Sequence, residues 1–219
     1  MAINGGQALL PEVRQGKYRG TQINLVNLSN LPELNPSIEI ENNTLSIGAS
    51  ATVTEITENK DVQNHVNILV EAGLSLGDLQ IRNSATIGGN LCWGEPRANL
   101  LIALIALAAS VRIIDSSLQI KEVPLDKFYS DKISQNANDY IILSINVPLI
   151  STIAQSYSEF SRQKNDIALV NLALIEGENS VNGCIGGLFT QPLSLKKIQK
   201  KQFIQDTLHT VKNTQLEKM

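Results

Sequence analysis

Two pairs of adjacent glycines stand where this chain could do chemistry: Gly5-Gly6 in "INGGQALL" and Gly88-Gly89 in "QIRNSATIGGNLCWGEPRANL". Adjacent glycines cost backbone entropy that a packing segment would normally avoid. With no Cβ, the main chain can take φ > 0, and another molecule can come right up against it. Successive N–H groups left unpaired at such a turn form a concave array that binds anions, phosphates above all. The alternative for each pair is a plain tight turn, and a third pair, Gly186-Gly187, stands in a strand context. Neither of the first two fits a known phosphate fingerprint. There is no G-x-G-x-x-G, no G-K-[ST], and no acid at the distance a ribose would need.

The elements that must position these pairs can be sketched from periodicity. "AIN" is a short strand running into the first pair, and Ala8 to Gln15 are helical, with Pro11 tolerable in a first turn. "QINLVNLS" alternates as a strand with Ile23, Leu25 and Val26 inward. "IEIENNTLSIGASA" is a hairpin across Asn42-Asn43, residues that tolerate φ > 0. A short helix over "TVTEITENK" is followed by a longer one with Val62, Val66, Leu69 and Val70 on one face, ended at Gly73 or Gly77. Pro96 opens a helix that is apolar nearly all round and therefore buried on most sides. "SVRIID" with "LQIKEVPL" forms a hairpin, and "YIILSINVPL" is a strong strand. From about Thr152 come three strands, near "AQSYSEFSR", "IALVNLALI" and "VNGCIGGLF", then polar helical sequence carrying Ile198, Phe203 and Leu208.

Composition narrows the function. The 219 residues suit one large or two modest domains, and 42% hydrophobic with 18% charged content describes an ordinary globular protein. A net charge of −3 and a pI near 5.5 argue against a nucleic-acid binder. Four Phe, four Tyr and one Trp are too few for a base-stacking platform. Cys92 and Cys184 lie far apart with no Cys-x-x-Cys, which excludes an iron–sulfur cluster or structural zinc held by this chain and suggests no disulfide framework. The N-terminus has no signal-peptide pattern, and the longest apolar run, Leu100 to Val111, is too short to cross a bilayer. A cytoplasmic protein, without membrane or nucleic acid, is the expectation. His65 and His209 have no partners spaced for a metal, and Cys92 is expected in the core rather than as a nucleophile.

"QIRNSATIGGNLCWGEPRANL" closely resembles the second flavin-binding segment of the FAD subunits of molybdenum hydroxylases, the family of carbon monoxide, xanthine and nicotinate dehydrogenases. "INGGQALLPEVRQG" resembles their first flavin segment. "LVNLSNLPEL", "LSIGASATVTEI", "YIILSINVP" and "SRQKNDIALVNLAL" keep the family's order, so the resemblance runs from about Ile3 to about Pro192. It implies an FAD held between two subdomains, its pyrophosphate on the main chain of Asn4, Gly5, Gly6, Gln7, Ala8 and Leu9 and of Thr86, Ile87, Gly88, Gly89 and Asn90. Asn99 and Ile142 complete the implied cofactor set, with no metal site and no residue of this chain acting as a catalyst. The implied activity is electron transfer. Flavin takes electrons from a partner's iron–sulfur clusters and passes them to an external acceptor, in a complex with a molybdopterin-binding large subunit and a two-iron small subunit. A flavin-free relative acting as a scaffold is the competing class.

The implied fold is α+β. Residues 1–151 would be a two-subdomain FAD-binding unit of the vanillyl-alcohol-oxidase type with a mostly antiparallel sheet, its N-terminal subdomain shortened. Residues 152–219 would be a small antiparallel sheet with helices, also shortened. Two departures stand out. The family's Asp before Leu is Asn99 here, and the Lys that members place near the isoalloxazine falls at Ser158 or Glu159. Arg162 and Lys164 are the nearby cations, read as solvated strand ends. Trp93, beside the second glycine segment, is a candidate anchor for a partner subunit or else a packing residue.

Overall fold

A computed structural model describes residues 1–29, 31–134, 140–163 and 165–200. The chain opens with β1 (Ala2–Ile3), continues through α1 (Leu9–Arg14), and returns as β2 (Val26–Asn27) parallel to β1. The strand expected over Gln22–Ser29 thus shrinks to two residues, and Leu25 and Val26 are 44% and 59% exposed rather than inward. β1 and β2 pair over these two residues each.

β3 (Ile38–Glu41) and β4 (Thr44–Gly48) form the expected hairpin, with Asn42 and Asn43 at φ 47° and 62°. Then come α2 (Val53–Glu58), α3 (Lys60–His65), α4 (Asn67–Leu74), α5 (Leu79–Arg82), α6 (Ile87–Trp93) and α7 (Asn99–Ala106). The single helix expected over residues 61–77 breaks at Val66, whose φ −136° and ψ 51° leave the helical region. Its predicted apolar face is nevertheless buried at Val62, Val66, Leu69 and Val70. The helix expected from Pro96 begins three residues later, because Ala98 still has the extended conformation of an N-cap. β5 (Ser110–Asp115) and β6 (Ile120–Pro124) make the second hairpin, followed by α8 (Leu125–Ser134) and β7 (Tyr140–Pro148).

These strands build a five-stranded antiparallel sheet, ordered β3-β4-β7-β5-β6. Period-two alternation puts Leu45, Ile47, Val111, Ile145 and Val147 on one face, each fully buried in the core shared with the helices. The opposite face is polar. There Glu122 accepts from Asn146 Nδ2 (3.2 Å) and from the Ser110 hydroxyl.

The rest is a second antiparallel sheet: β8 (Ala154–Phe160), β9 (Val170–Glu176), β10 (Ser180–Gly186) and β11 (Leu193–Gln199), ordered β11-β10-β9-β8. It has four strands where three are expected. β11 occupies part of the stretch read as helical, and Ile198 lies in it, paired with Val181. A register shift between Val181 and Gly183, with Lys197 at φ 51°, breaks the alternation that would have revealed it. Phe203, Leu208 and His209 lie outside the described residues. α7 packs on α4 and on β9 and β10 of this second sheet, with all eight residues buried. Its apolar circumference follows from having neighbours on every side.

Candidate functional site

The first glycine segment is a donor row. Gly6 takes φ 71°, and its carbonyl accepts from Leu10 N–H at 3.0 Å, closing the entry to α1. Among the described residues, the N–H groups of Gly5, Gly6, Gln7 and Ala8 have no acceptor. Gly5 is required by a close approach: an added Cβ would lie 1.9 Å from the Ser84 carbonyl oxygen. The two glycine segments, some eighty residues apart in the chain, are therefore packed backbone against backbone. Asn4 is spent on holding the turn. Its Nδ2 donates to Ser50 Oγ at 2.7 Å, and its Oδ1 accepts from Ser29 Oγ at 3.1 Å.

The second segment is not a loop but the first turn of α6. Thr86 is its N-cap, with Oγ1 accepting from Gly89 N–H at 3.2 Å. Ile87 N–H donates to the Ala51 carbonyl (2.9 Å), Gly88 N–H to the Ala49 carbonyl (3.0 Å) and Asn90 N–H to the Thr86 carbonyl (2.9 Å). The main-chain donors of Ile87 to Asn90 are thus satisfied inside the protein. Gly88 is there for packing, since a Cβ would stand 2.9 Å from both Cβ and O of Ala49. What the segment leaves open is a side chain: Asn90 Oδ1 is buried without a partner. A buried acceptor with no donor costs free energy unless something outside the chain supplies one.

Both segments meet on a corner that sequence reasoning did not single out, Gly48 to Thr52. Ala49 and Ala51 take the α6 donors, and Ser50 takes Asn4. Val53 N–H bonds the Ala85 carbonyl (2.9 Å), and Ala49 N–H bonds the Leu143 carbonyl (3.0 Å). That last bond brings β7 to the corner, so Ile142, 4% exposed in the core, is one residue from it. The signal was present in the run of small residues Gly48-Ala49-Ser50-Ala51. It stands immediately before a capping box in which Thr52 and Glu55 satisfy each other's N–H groups.

Asn99 does not join this cluster through any hydrogen bond the structure gives. It is the first residue of α7, 9% exposed, and its Nδ2 donates to Glu159 Oε2 on β8 at 2.8 Å. Tyr157 Oη donates to the same oxygen at 3.2 Å, and Asn171 Nδ2 reaches Tyr157 Oη (3.1 Å) and the Arg97 carbonyl (2.9 Å). Burial pushes the Glu159 carboxyl above the ordinary carboxylate range, against the lowering effect of its hydrogen bonds. Burial likewise pushes the Tyr157 phenol up.

Ser158 and Arg162 are exposed, and Lys164 lies outside the described residues. Cys92 is exposed, which corrects its expected place in the core: α6 turns Leu91 inward and leaves Cys92 and Trp93 toward solvent. Among the described residues no group of three His, Cys, Asp or Glu could hold a metal ion, and no helix is long and apolar enough to cross a membrane.

Fold and site together define a class: an α+β protein with antiparallel sheets and a glycine turn that offers main-chain donors and packs on the segment leading into α6, the helix that carries the unpaired Asn90 amide oxygen. The chain belongs to the family described as the FAD binding domain in molybdopterin dehydrogenase, whose family model matches residues 1–150. It is 26% identical over 203 residues to the glyceraldehyde dehydrogenase medium chain of Sulfolobus acidocaldarius, spanning 90% of this chain and 71% of that one. It is 33% identical over 176 residues to the 6-hydroxypseudooxynicotine dehydrogenase complex subunit alpha of Paenarthrobacter nicotinovorans, spanning 79% of this chain but only 58% of that one. Among solved structures it shares the fold of carbon monoxide dehydrogenase from Hydrogenophaga pseudoflava, with TM-score 0.78, 22% identity, and coverage of 92% of this chain and 74% of that one.

FAD fits what the residues offer. A diphosphate needs several N–H donors at close range, and Gly5 to Ala8 supply them. A sugar or ribityl hydroxyl is the kind of donor that Asn90 Oδ1 lacks.

Proposed function

We propose that this chain holds FAD across its first glycine turn. In this reading it is the flavin-bearing electron-transfer component of a molybdenum hydroxylase-type dehydrogenase, an oxidoreductase. The observation that carries the reading is the row of N–H groups at Gly5 to Ala8 without an acceptor among the described residues, packed on Ser84 at Gly5 and tied to the Gly48–Thr52 corner through Asn4 and Ser50. When bound, the flavin supplies the redox chemistry, accepting electrons from partner iron–sulfur clusters and passing them to an external acceptor. The chain's own residues bind and orient. Gly5 to Ala8 and Leu9 would take the pyrophosphate side. Thr86 to Asn90 would form the wall that the turn packs on, and Ile142 an apolar surface beside it.

The finer fold assignment belongs to this proposal. In it, residues 1–151 are the FAD-binding unit of the vanillyl-alcohol-oxidase type, and residues 152–219 are assigned to a shortened C-terminal flavoprotein domain. So do the partners, a molybdopterin-binding large subunit and a two-iron small subunit, supported by relatives named as medium chains and complex subunits. A cytoplasmic home belongs to this proposal as well.

Titration of the purified, folded chain with FAD tests the reading. Saturable quenching of flavin fluorescence, with flavin bands retained after gel filtration, is the expected result. A chain that unfolds cooperatively yet retains no flavin would leave the scaffold reading in its place. The two-residue strands β1 and β2 make that second outcome concrete, because the turn hangs on a very short ladder.

A further inference from the structure

The polar cluster between α7 and the C-terminal sheet has a fixed direction. Asn171 Nδ2 can only donate, so its bond to Tyr157 Oη leaves the phenol's single proton for Glu159. A carboxylate only accepts, so Asn99 must present Nδ2 to Glu159 Oε2, at 2.8 Å. Turning the Asn99 amide over would set oxygen against oxygen. Its Oδ1 is therefore aimed away from Glu159, and it accepts no hydrogen bond among the described residues. The arrangement is built into the fold: Asn99 is 9% exposed and Asn171 1% exposed, and Asn171 also clamps the Arg97 carbonyl two residues before Asn99.

We propose that Glu159 is a positioning residue which locks the Asn99 amide with its oxygen outward, as the acceptor for a hydroxyl of the bound FAD. This rests on the reading of Asn99 as a cofactor contact. An aspartate at position 99 would show an acceptor in either orientation and need no such lock. An asparagine shows an acceptor only if something holds its NH2 end, and Glu159, itself held by Tyr157, does so. The strand β8 thereby reaches into cofactor binding without touching the cofactor.

A double-mutant cycle on FAD affinity, read by flavin fluorescence with the full chain, tests this. Asn99→Ala and Glu159→Ala should each weaken FAD binding roughly tenfold, the weight of about one hydrogen bond. The double variant N99A/E159A should be no weaker than N99A. N99D in the E159A background should return to within about threefold of wild type, since aspartate supplies the acceptor unaided. Glu159→Gln, which keeps an oxygen for Asn99 and the shape of the side chain, guards against a folding artefact and should hold near-wild-type affinity. Additive losses in the double variant, or no rescue by N99D, would overturn the assignment. So would unchanged affinity in E159A. A wild type that binds no FAD removes the functional reading and this inference with it; a wild type that binds while E159A matches it removes this inference alone.

Discussion

Asn90 shows how one side chain can report a ligand. Its Oδ1 is buried with no donor, although its own N–H is satisfied by the Thr86 carbonyl at 2.9 Å. An unpaired buried acceptor costs about 1–3 kcal/mol, so a fold that keeps one either carries strain or expects a partner. The two cases separate by mutation. Asn90→Ala should leave the unfolding free energy of the flavin-free chain within about 1 kcal/mol of wild type, because the removed oxygen had no bond to lose. The same change should weaken FAD binding roughly tenfold. Thermal unfolding without FAD, paired with a flavin titration, checks both halves, and a large stability loss with unchanged affinity would assign Asn90 to packing. The neighbouring glycines read differently from their environments. Gly6 is needed for its positive φ, Gly5 for the Ser84 carbonyl and Gly88 for Ala49. Sequence alone grouped them as one kind of phosphate turn. It could not see that α6 spends its donors on Ala49 and Ala51, because that depends on a corner some forty residues earlier in the chain.

At the scale of elements, α6 and the Gly48–Thr52 corner act as one unit, joined by two main-chain bonds and a van der Waals contact at Gly88. Gly88→Ala should therefore lower stability by about 1–3 kcal/mol through overpacking against Ala49. Gly89→Ala is the control. Gly89 is exposed, its added Cβ meets only Thr86 Oγ1 at 3.0 Å, and alanine is the better helix former by about 1 kcal/mol. Its stability should stay within about 1 kcal/mol of wild type, as chemical denaturation of the two variants will show; equal losses would contradict the packing role. The same elements mark what was legible beforehand. Hairpins β3–β4 and β5–β6, strand β7 and the buried α7 could be read from alternation, turn residues and apolar runs, since each is decided locally. β2 and β11 could not. β2 looks like a strand but has only two residues of β1 to pair with, and β11 is a strand whose bulge at Lys197 hides its period behind lysines. The break at Val66 is likewise a tertiary decision, since Gln155 of β8 donates to the His65 carbonyl and accepts from Ile68 N–H across it. The residues of the first glycine turn were legible, and the corner and the Glu159 cluster were not, because they are assembled from distant strands.

For the molecule as a whole, the question is how electrons would reach a flavin held here. Among the described residues no group of three His, Cys, Asp or Glu could hold a metal ion, and the electron donor in the proposed complex is its two-iron small subunit. The surface beside the site has a feature suited to that. Trp93 is the last residue of α6, 37% exposed, and the αL glycine that follows it, Gly94 at φ 77°, turns the chain sharply away. Tyr129 Oη donates to the Gly94 carbonyl at 2.6 Å and braces that turn from α8. The indole is therefore presented from a braced helix end, in a chain with a single tryptophan. Partly exposed aromatic residues on rigid supports make effective interface anchors, because they bury much area while losing little conformational freedom. Trp93→Glu places a charge where such an interface would be dry. It should weaken association with the two-iron subunit of the proposed complex at least tenfold and leave FAD affinity within about twofold, since Trp93 makes none of the contacts that build the glycine turn. Gel filtration of the co-expressed subunits, alongside a flavin titration of the isolated variant, measures the two quantities separately. Loss of FAD with intact assembly would move Trp93 from the partner surface to the cofactor site; no effect on either would place the docking face elsewhere on the molecule.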